Sequence, residues 1–152
     1  MTDKNQVKNA ILRKSFSSFV QKCFYELNPS EIFIKGAYID LLCDQIQNMI
    51  EGKNQKLIIN LPPRYLKSVI CSIALPAFIL GHNPSTKIMC ISYGEELASK
   101  LAADCKSVME ADWYKVLFPE TRIRTDKKSV MDFETTKHGG RFATTISGAV
   151  TG

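Results

Sequence analysis

Two amphipathic segments open the chain. Apolar and polar side chains recur at helical spacing over residues 7–27, which predicts one helix that ends before an Asn-Pro pair. Residues 37–50 predict a second helix. Residues 1–30 thus form a predicted N-terminal helical segment, ahead of a larger domain over residues 31–152. The apolar side chains expected to face inward on the second helix are Ile39, Leu42, Cys43, Ile46 and Met49.

A short apolar run, a loop and a long apolar run follow one another at residues 56–80. Residues 56–61 read Lys-Leu-Ile-Ile-Asn-Leu, a composition that predicts a buried strand. Residues 69–80 are too long for one strand and predict a buried helix, which Pro76 should kink. The intervening residues 62–68 begin with two prolines. The stretch therefore predicts a strand–loop–helix unit.

Strand and helix patterns alternate again in the second half of the chain. Residues 87–92 predict a second apolar strand, and residues 95–109 predict a helix. Two short strand candidates, residues 130–135 and 141–146, flank a Lys-His-Gly-Gly sequence with the chemistry of a hairpin turn. This alternation favours an α/β fold with a parallel sheet and flanking helices.

Composition places the chain among ordinary globular proteins, with 152 residues, 45% hydrophobic and 23% charged. Its five cysteines include no C-x-x-C pair and its two histidines stand apart, which argues against a zinc site. No signal-peptide pattern and no run of membrane-spanning length is present, so we expect an intracellular protein without a membrane contact. The net charge of +5 permits contact with nucleic acid without requiring it. A solvated loop is the favoured interpretation of the densest basic cluster, which comprises Arg122, Arg124, Lys127 and Lys128.

Lys67 and Ser68 stand where the predicted loop meets the predicted helix. A P-loop places its lysine and its magnesium-binding hydroxyl at such a junction. A helix N-terminus also offers unpaired N–H groups and the positive end of the helix dipole. Pro62 and Pro63 have no N–H, so the amides of residues 64–68 would have to form the phosphate cradle.

The loop departs from the P-loop formula at two positions, because Leu61 and Leu66 stand where the formula has glycine. If Leu66 adopts the left-handed conformation that glycine permits, strain of roughly 1–2 kcal/mol is stored there. The alternative interpretation is an ordinary strand–turn–helix connection with a surface lysine and a serine near the helix start.

Five segments together resemble the ATPase domain of the large terminase subunits of tailed phages and prophages. Residues 61–68, Leu-Pro-Pro-Arg-Tyr-Leu-Lys-Ser, look like the divergent P-loop of that family. The resemblance covers roughly residues 33–152 and implies an incomplete P-loop NTPase-like parallel sheet. It also implies a motor that uses ATP to package double-stranded DNA into procapsids. The four other segments occur in the same order, at residues 81–84, 91–98, 113–119 and 148–152.

The resemblance implies roles for individual residues, with ATP and Mg²⁺ as cofactors. Lys67 would bind phosphate and Arg64 would be a cis arginine, which makes these two the catalytic candidates. Ser68 would bind Mg²⁺ through its hydroxyl. Tyr38 would stack on adenine and Gln45 or Gln47 would read its edge, although an ordinary surface tyrosine and glutamines are the favoured interpretation. The implied nucleotide-binding residues are Pro63, Arg64, Tyr65, Leu66, Lys67, Ser68 and Tyr38.

The resemblance also sets expectations about activity and partners. In terminases an aspartate that holds magnesium and a neighbouring catalytic acid follow the segment that matches residues 148–152, and a nuclease domain lies beyond. We therefore expect an N-terminal fragment that binds ATP but is inactive alone. The implied partners are double-stranded DNA without sequence preference, the small terminase subunit and the portal protein, in the cytoplasm of a bacterial host. The alternatives are another P-loop nucleic-acid motor, such as a helicase-like one, and an inactive prophage remnant.

Overall fold

The computed structural model describes residues 2–126, 129–146 and 148. The chain divides into two compact units, Met1–Ile70 and Cys71–Gly152. The predicted boundary at residue 30 is a separate division and stays a prediction. The elements of the described residues, in chain order, are α1 (Thr2–Lys14), α2 (Phe16–Leu27), α3 (Ala37–Ile50), a π-helix (Val69–Ala74), α4 (Leu75–His82), β1 (Lys87–Ser92), α5 (Glu95–Glu110), α6 (Asp112–Leu117), β2 (Asp132–Glu134) and β3 (Gly140–Thr145).

Three helices build the first unit, and the single helix predicted over residues 7–27 is wrong. Ser15 separates α1 from α2 with an extended backbone, and its side chain accepts a hydrogen bond from the Ser18 N–H at 3.2 Å. This N-cap satisfies one of the free donors at the start of α2. The predicted helix over residues 37–50 is confirmed as α3. The core side chains of α2 and α3 are Phe16, Phe19, Val20, Cys23, Phe24, Ile39, Leu42, Cys43 and Ile46.

Residues 56–61, predicted as the first core strand, form no strand. They alternate between exposed and half-buried side chains, and Ile58 is 96% exposed. Leu57, Ile59 and Leu61 share a cavity of about 210 Å³ with side chains of α3. The prediction failed because a strand requires hydrogen bonds to a neighbouring backbone as well as apolar side chains. No described residue gives this segment such a neighbour.

The predicted helix over residues 69–80 is present, in two forms. Its first part is the π-helix, and α4 follows with Pro76 in its first turn, where a missing N–H costs little. Pro76 cannot donate to the Ser72 carbonyl, and that oxygen instead lies 3.3 Å from Nη2 of Arg141. Arg141 is only 1% exposed, and its Nε and Nη1 have no hydrogen-bond partner in the described structure.

A three-stranded sheet with the order β1-β3-β2 forms the centre of the second unit. The predicted strand over residues 87–92 is confirmed as β1, and it pairs in parallel with β3 from Lys87↔Gly140 to Ser92↔Thr145. The prediction of a parallel sheet is wrong for the other pair, because β2 runs antiparallel to β3. The hairpin chemistry predicted at residues 137–140 explains this, since a tight turn can join only antiparallel strands. The sheet is therefore mixed, within an α/β fold with flanking helices.

Helices α4, α5 and α6 supply the rest of the second core. The helix predicted over residues 95–109 is confirmed as α5, one residue longer than expected. Tyr114 is completely buried, and its hydroxyl donates to the Ala77 carbonyl at 2.7 Å. Leu117 and Phe118, which follow it on the chain, are also buried.

Candidate functional site

Residues 62–68 form a loop that contains two left-handed residues other than glycine. Arg64 has φ of 69° and Leu66 has φ of 56°, whereas Tyr65 between them and Lys67 after them do not have positive φ. The left-handed conformation considered for Leu66 is therefore observed, and Arg64 repeats it two residues earlier. A non-glycine residue at positive φ costs free energy and is concentrated at functional sites. Two such residues in one loop make it the first candidate site.

Arg64 and Leu66 alternate with residues whose φ is not positive. A backbone of alternating hand forms a concave nest of N–H groups that binds anions. No described residue accepts a backbone hydrogen bond from the amides of residues 64–69. The first such bond at this end of the helix runs from the Ile70 N–H to the Leu66 carbonyl, at 2.9 Å. Six consecutive amides, one more than the sequence predicted, are thus without a backbone acceptor among the described residues.

The charged and polar side chains of the loop are accessible. Arg64, Lys67 and Ser68 are exposed to solvent. Lys67 turns back along the loop, and its Nζ donates to the Leu61 carbonyl at 3.3 Å. The helical backbone begins at Lys67, so the positive end of the helix dipole adds to its charge. The structure therefore brings a lysine, an arginine and a set of free amides to one loop.

Tyr38 and Tyr65 connect this loop to the start of α3. Their ring centroids lie 5.2 Å apart with an interplanar angle of 58°. Burial, together with the neighbouring Tyr65 phenol, raises the pKa of Tyr38, so that its hydroxyl stays neutral at physiological pH. Both rings line a cavity of about 330 Å³, together with Phe24, Glu31, Ile32, Ile34, Gly36, Arg64 and Leu66.

Gly36 permits this arrangement of the Tyr38 ring. A Cβ at Gly36 would lie 2.7 Å from Cε1 and 2.8 Å from Cδ1 of Tyr38, closer than carbon atoms can approach. The ring therefore packs directly over the backbone that precedes α3. No sequence motif marks Gly36 as part of the site, although it stands two residues before Tyr38 at the start of a helix.

Other candidate residues do not join this site. The side chain of Gln47, considered as a reader of the adenine edge, accepts from the Phe16 N–H at 3.2 Å and donates to Glu51 at 3.2 Å. Gln45, the other such candidate, lines the cavity beneath residues 57–61, which Tyr38 also borders.

Where the structure describes the predicted basic cluster, its arginines form hydrogen bonds and ion pairs with neighbouring residues of the chain. Arg122 donates to the carbonyls of Phe118 and Thr121 at 3.1 and 2.8 Å. Arg124 pairs with Asp126 and with Glu134. Lys127 and Lys128 lie outside the described residues, as do Ala149 to Gly152 of the last terminase-like segment.

The described residues give little support for a nucleophilic cysteine or for a metal site built from several protein side chains. All five cysteines are free thiols, and burial raises the pKa of Cys43 and of Cys105 to about 12. Thiols with so high a pKa are protonated at neutral pH and are poor nucleophiles. In the part of the chain that the structure describes, no three His, Cys, Asp or Glu side chains converge as metal ligands would. The Ser68 hydroxyl fits as one magnesium ligand, since Mg²⁺ at phosphate sites takes most ligands from phosphate and water.

Comparison with known proteins gives no relative. No family model matches the chain, and neither a curated protein nor a solved structure matches it. Among the described helices, none combines the length and the apolar character needed to cross a bilayer.

Proposed function

We propose that the chain binds the phosphates of ATP at residues 62–68 and belongs to the ATPase domain of a large terminase subunit. The alternating backbone at Arg64 and Leu66 carries the first part of this proposal. It leaves six amides without backbone acceptors beside an exposed lysine, which is the chemistry of a phosphate cradle. The five terminase-like segments of the sequence support the second part.

Each residue of the loop has a distinct part in this proposal. Lys67 moves from the Leu61 carbonyl to the β- and γ-phosphates as a compact point charge. Ser68 supplies a hydroxyl to Mg²⁺. Arg64 is the permanently charged group placed to stabilise charge on the transferred phosphoryl. Pro63 has no N–H and contributes by fixing the backbone that leads into the nest.

In this proposal the adenine base binds at the aromatic pair, Tyr38 and Tyr65. Tyr38 and Tyr65 line one cavity, which also includes Arg64 and Leu66 of the phosphate loop. Its volume of about 330 Å³ lies at the lower end of the range for small-molecule pockets. Stacking of a base on an aromatic ring contributes about 1–3 kcal/mol. The proposal thus places adenine against Tyr38 and the phosphates against residues 64–68.

The terminase assignment brings its own partners. Binding to double-stranded DNA would be electrostatic, independent of sequence and steeply dependent on salt. The small terminase subunit and the portal protein would be the protein partners, in the cytoplasm of a bacterial host.

A lysine substitution tests the nucleotide site. We expect Lys67→Ala to weaken Mg·ATP binding by roughly tenfold to a hundredfold, since a charged hydrogen bond contributes about 1.5–3 kcal/mol. Isothermal titration calorimetry on the 152-residue chain measures this. The matched control is Lys56→Ala, which removes another exposed lysine of the same unit. Equal affinities for the parent and Lys67→Ala would overturn the proposal.

A further inference from the structure

Glu31 is the one acidic side chain among the residues that line the cavity beside the phosphate loop. It is exposed at the cavity, and no described residue forms an ion pair or a side-chain hydrogen bond with it. Its backbone N–H donates to the Asn28 carbonyl at 3.1 Å, which holds the turn that carries it. The carboxylate is therefore an exposed hydrogen-bond acceptor at the cavity, carried by a hydrogen-bonded turn.

The proposed function assigns Arg64 to the phosphates, and the remaining lining residues provide mainly contact area for a base. Phe24, Ile32 and Ile34 are apolar, and the two tyrosine rings offer aromatic faces. Stacking tolerates every base because each base has a π-face. Discrimination must come from a polar group at the edge of the base, and a polar contact that one ligand cannot make is an effective selector.

We propose that Glu31 makes this pocket select a purine with an amino group at position 6, adenine over hypoxanthine. The inference rests on the proposed binding of ATP at the neighbouring loop. An ionised carboxylate only accepts hydrogen bonds. The amino group of adenine donates one, whereas hypoxanthine carries an oxygen at that position and presents a lone pair to the carboxylate. Glu31 thereby provides a selectivity for the base that the phosphate loop does not provide.

The test compares ATP with ITP, which differ in the group at position 6 of the base. Dissociation constants are measured by calorimetry for the parent, for Glu31→Gln and for the control Glu51→Gln. The control removes a carboxylate of the same unit that lines a different cavity. We expect the parent and the control to prefer ATP by roughly tenfold. In Glu31→Gln the ratio should fall close to one, because the amide can donate to the oxygen of hypoxanthine.

The outcomes separate this inference from the proposed function. If binding is lost in Lys67→Ala but the parent binds ATP and ITP equally, Glu31 is not a selector and the phosphate site stands. An unchanged preference in Glu31→Gln has the same meaning. If the parent binds neither nucleotide, or if Lys67→Ala binds both as the parent does, the phosphate site and the role of Glu31 fall together.

Discussion

At the scale of single residues, two φ angles define the candidate site. Leu66 was identifiable from the sequence because it stands where a P-loop has glycine. Arg64 was not, since nothing in an arginine side chain indicates a left-handed backbone. Leu66 has φ of 56° with a half-buried side chain, and Arg64 has φ of 69° with an exposed one. Local strain that persists in a loop is characteristic of a preformed binding site.

Strain at Leu66 predicts an unusual order among its variants. Leu66→Gly and Leu66→Ala both remove the half-buried side chain, but only glycine relieves the backbone at φ of 56°. We expect the free energy of unfolding of Leu66→Gly to exceed that of Leu66→Ala by about 1 kcal/mol. We also expect Leu66→Gly to bind ATP more tightly than Leu66→Ala does. Urea titration and calorimetry measure the two quantities. An alanine variant as stable as the glycine variant would show that the leucine conformation is not strained.

At the scale of elements, amphipathic patterns were reliable where an element buries one face. The helix at residues 37–50, the strand at 87–92 and the helix at 95–109 were predicted to within one residue. The break at Ser15 was missed because the apolar spacing continues through it, while a side-chain cap interrupts the backbone. The π-helix was also missed, since no residue pattern in that apolar run distinguishes it from an α-helix.

The glycines before α3 and α5 provide a matched pair of variants. Gly36 and Gly94 are both N-cap residues with extended backbones, so alanine affects the two caps alike. A Cβ at Gly36 meets the Tyr38 ring, whereas one at Gly94 has nothing within 4 Å. We expect Gly36→Ala to displace the ring and weaken ATP binding by on the order of tenfold, and Gly94→Ala to leave the affinity unchanged. Calorimetry measures both affinities, and equal losses would remove Tyr38 from the base site.

At the scale of the whole molecule, the sequence predicted where strands and helices lie better than it predicted which strands pair. Residues 141–146 were predicted as a strand and form β3 one residue earlier, but the parallel pairing of β3 with β1 joins segments about fifty residues apart. Such pairings depend on the path of the backbone between them, which local patterns do not encode. The same limit explains residues 56–61, whose composition is that of a central strand although the structure gives them no pairing partner.

That unpaired segment makes the chain prone to self-association. A segment with two adjacent β-branched residues, Ile58 and Ile59, and without backbone pairing is a template on which a second chain can add a strand. We expect oligomers that grow with concentration in sedimentation velocity experiments. We expect Ile58→Lys to suppress them by placing a charge at an apolar side chain of the segment that is 96% exposed. Val116→Lys is the control, because Val116 is also exposed but lies on a helix whose backbone is already bonded. If both variants associate as the parent does, another surface is responsible. If only Ile58→Lys stays monomeric, solubility of this chain is limited by main-chain hydrogen bonding at one short segment.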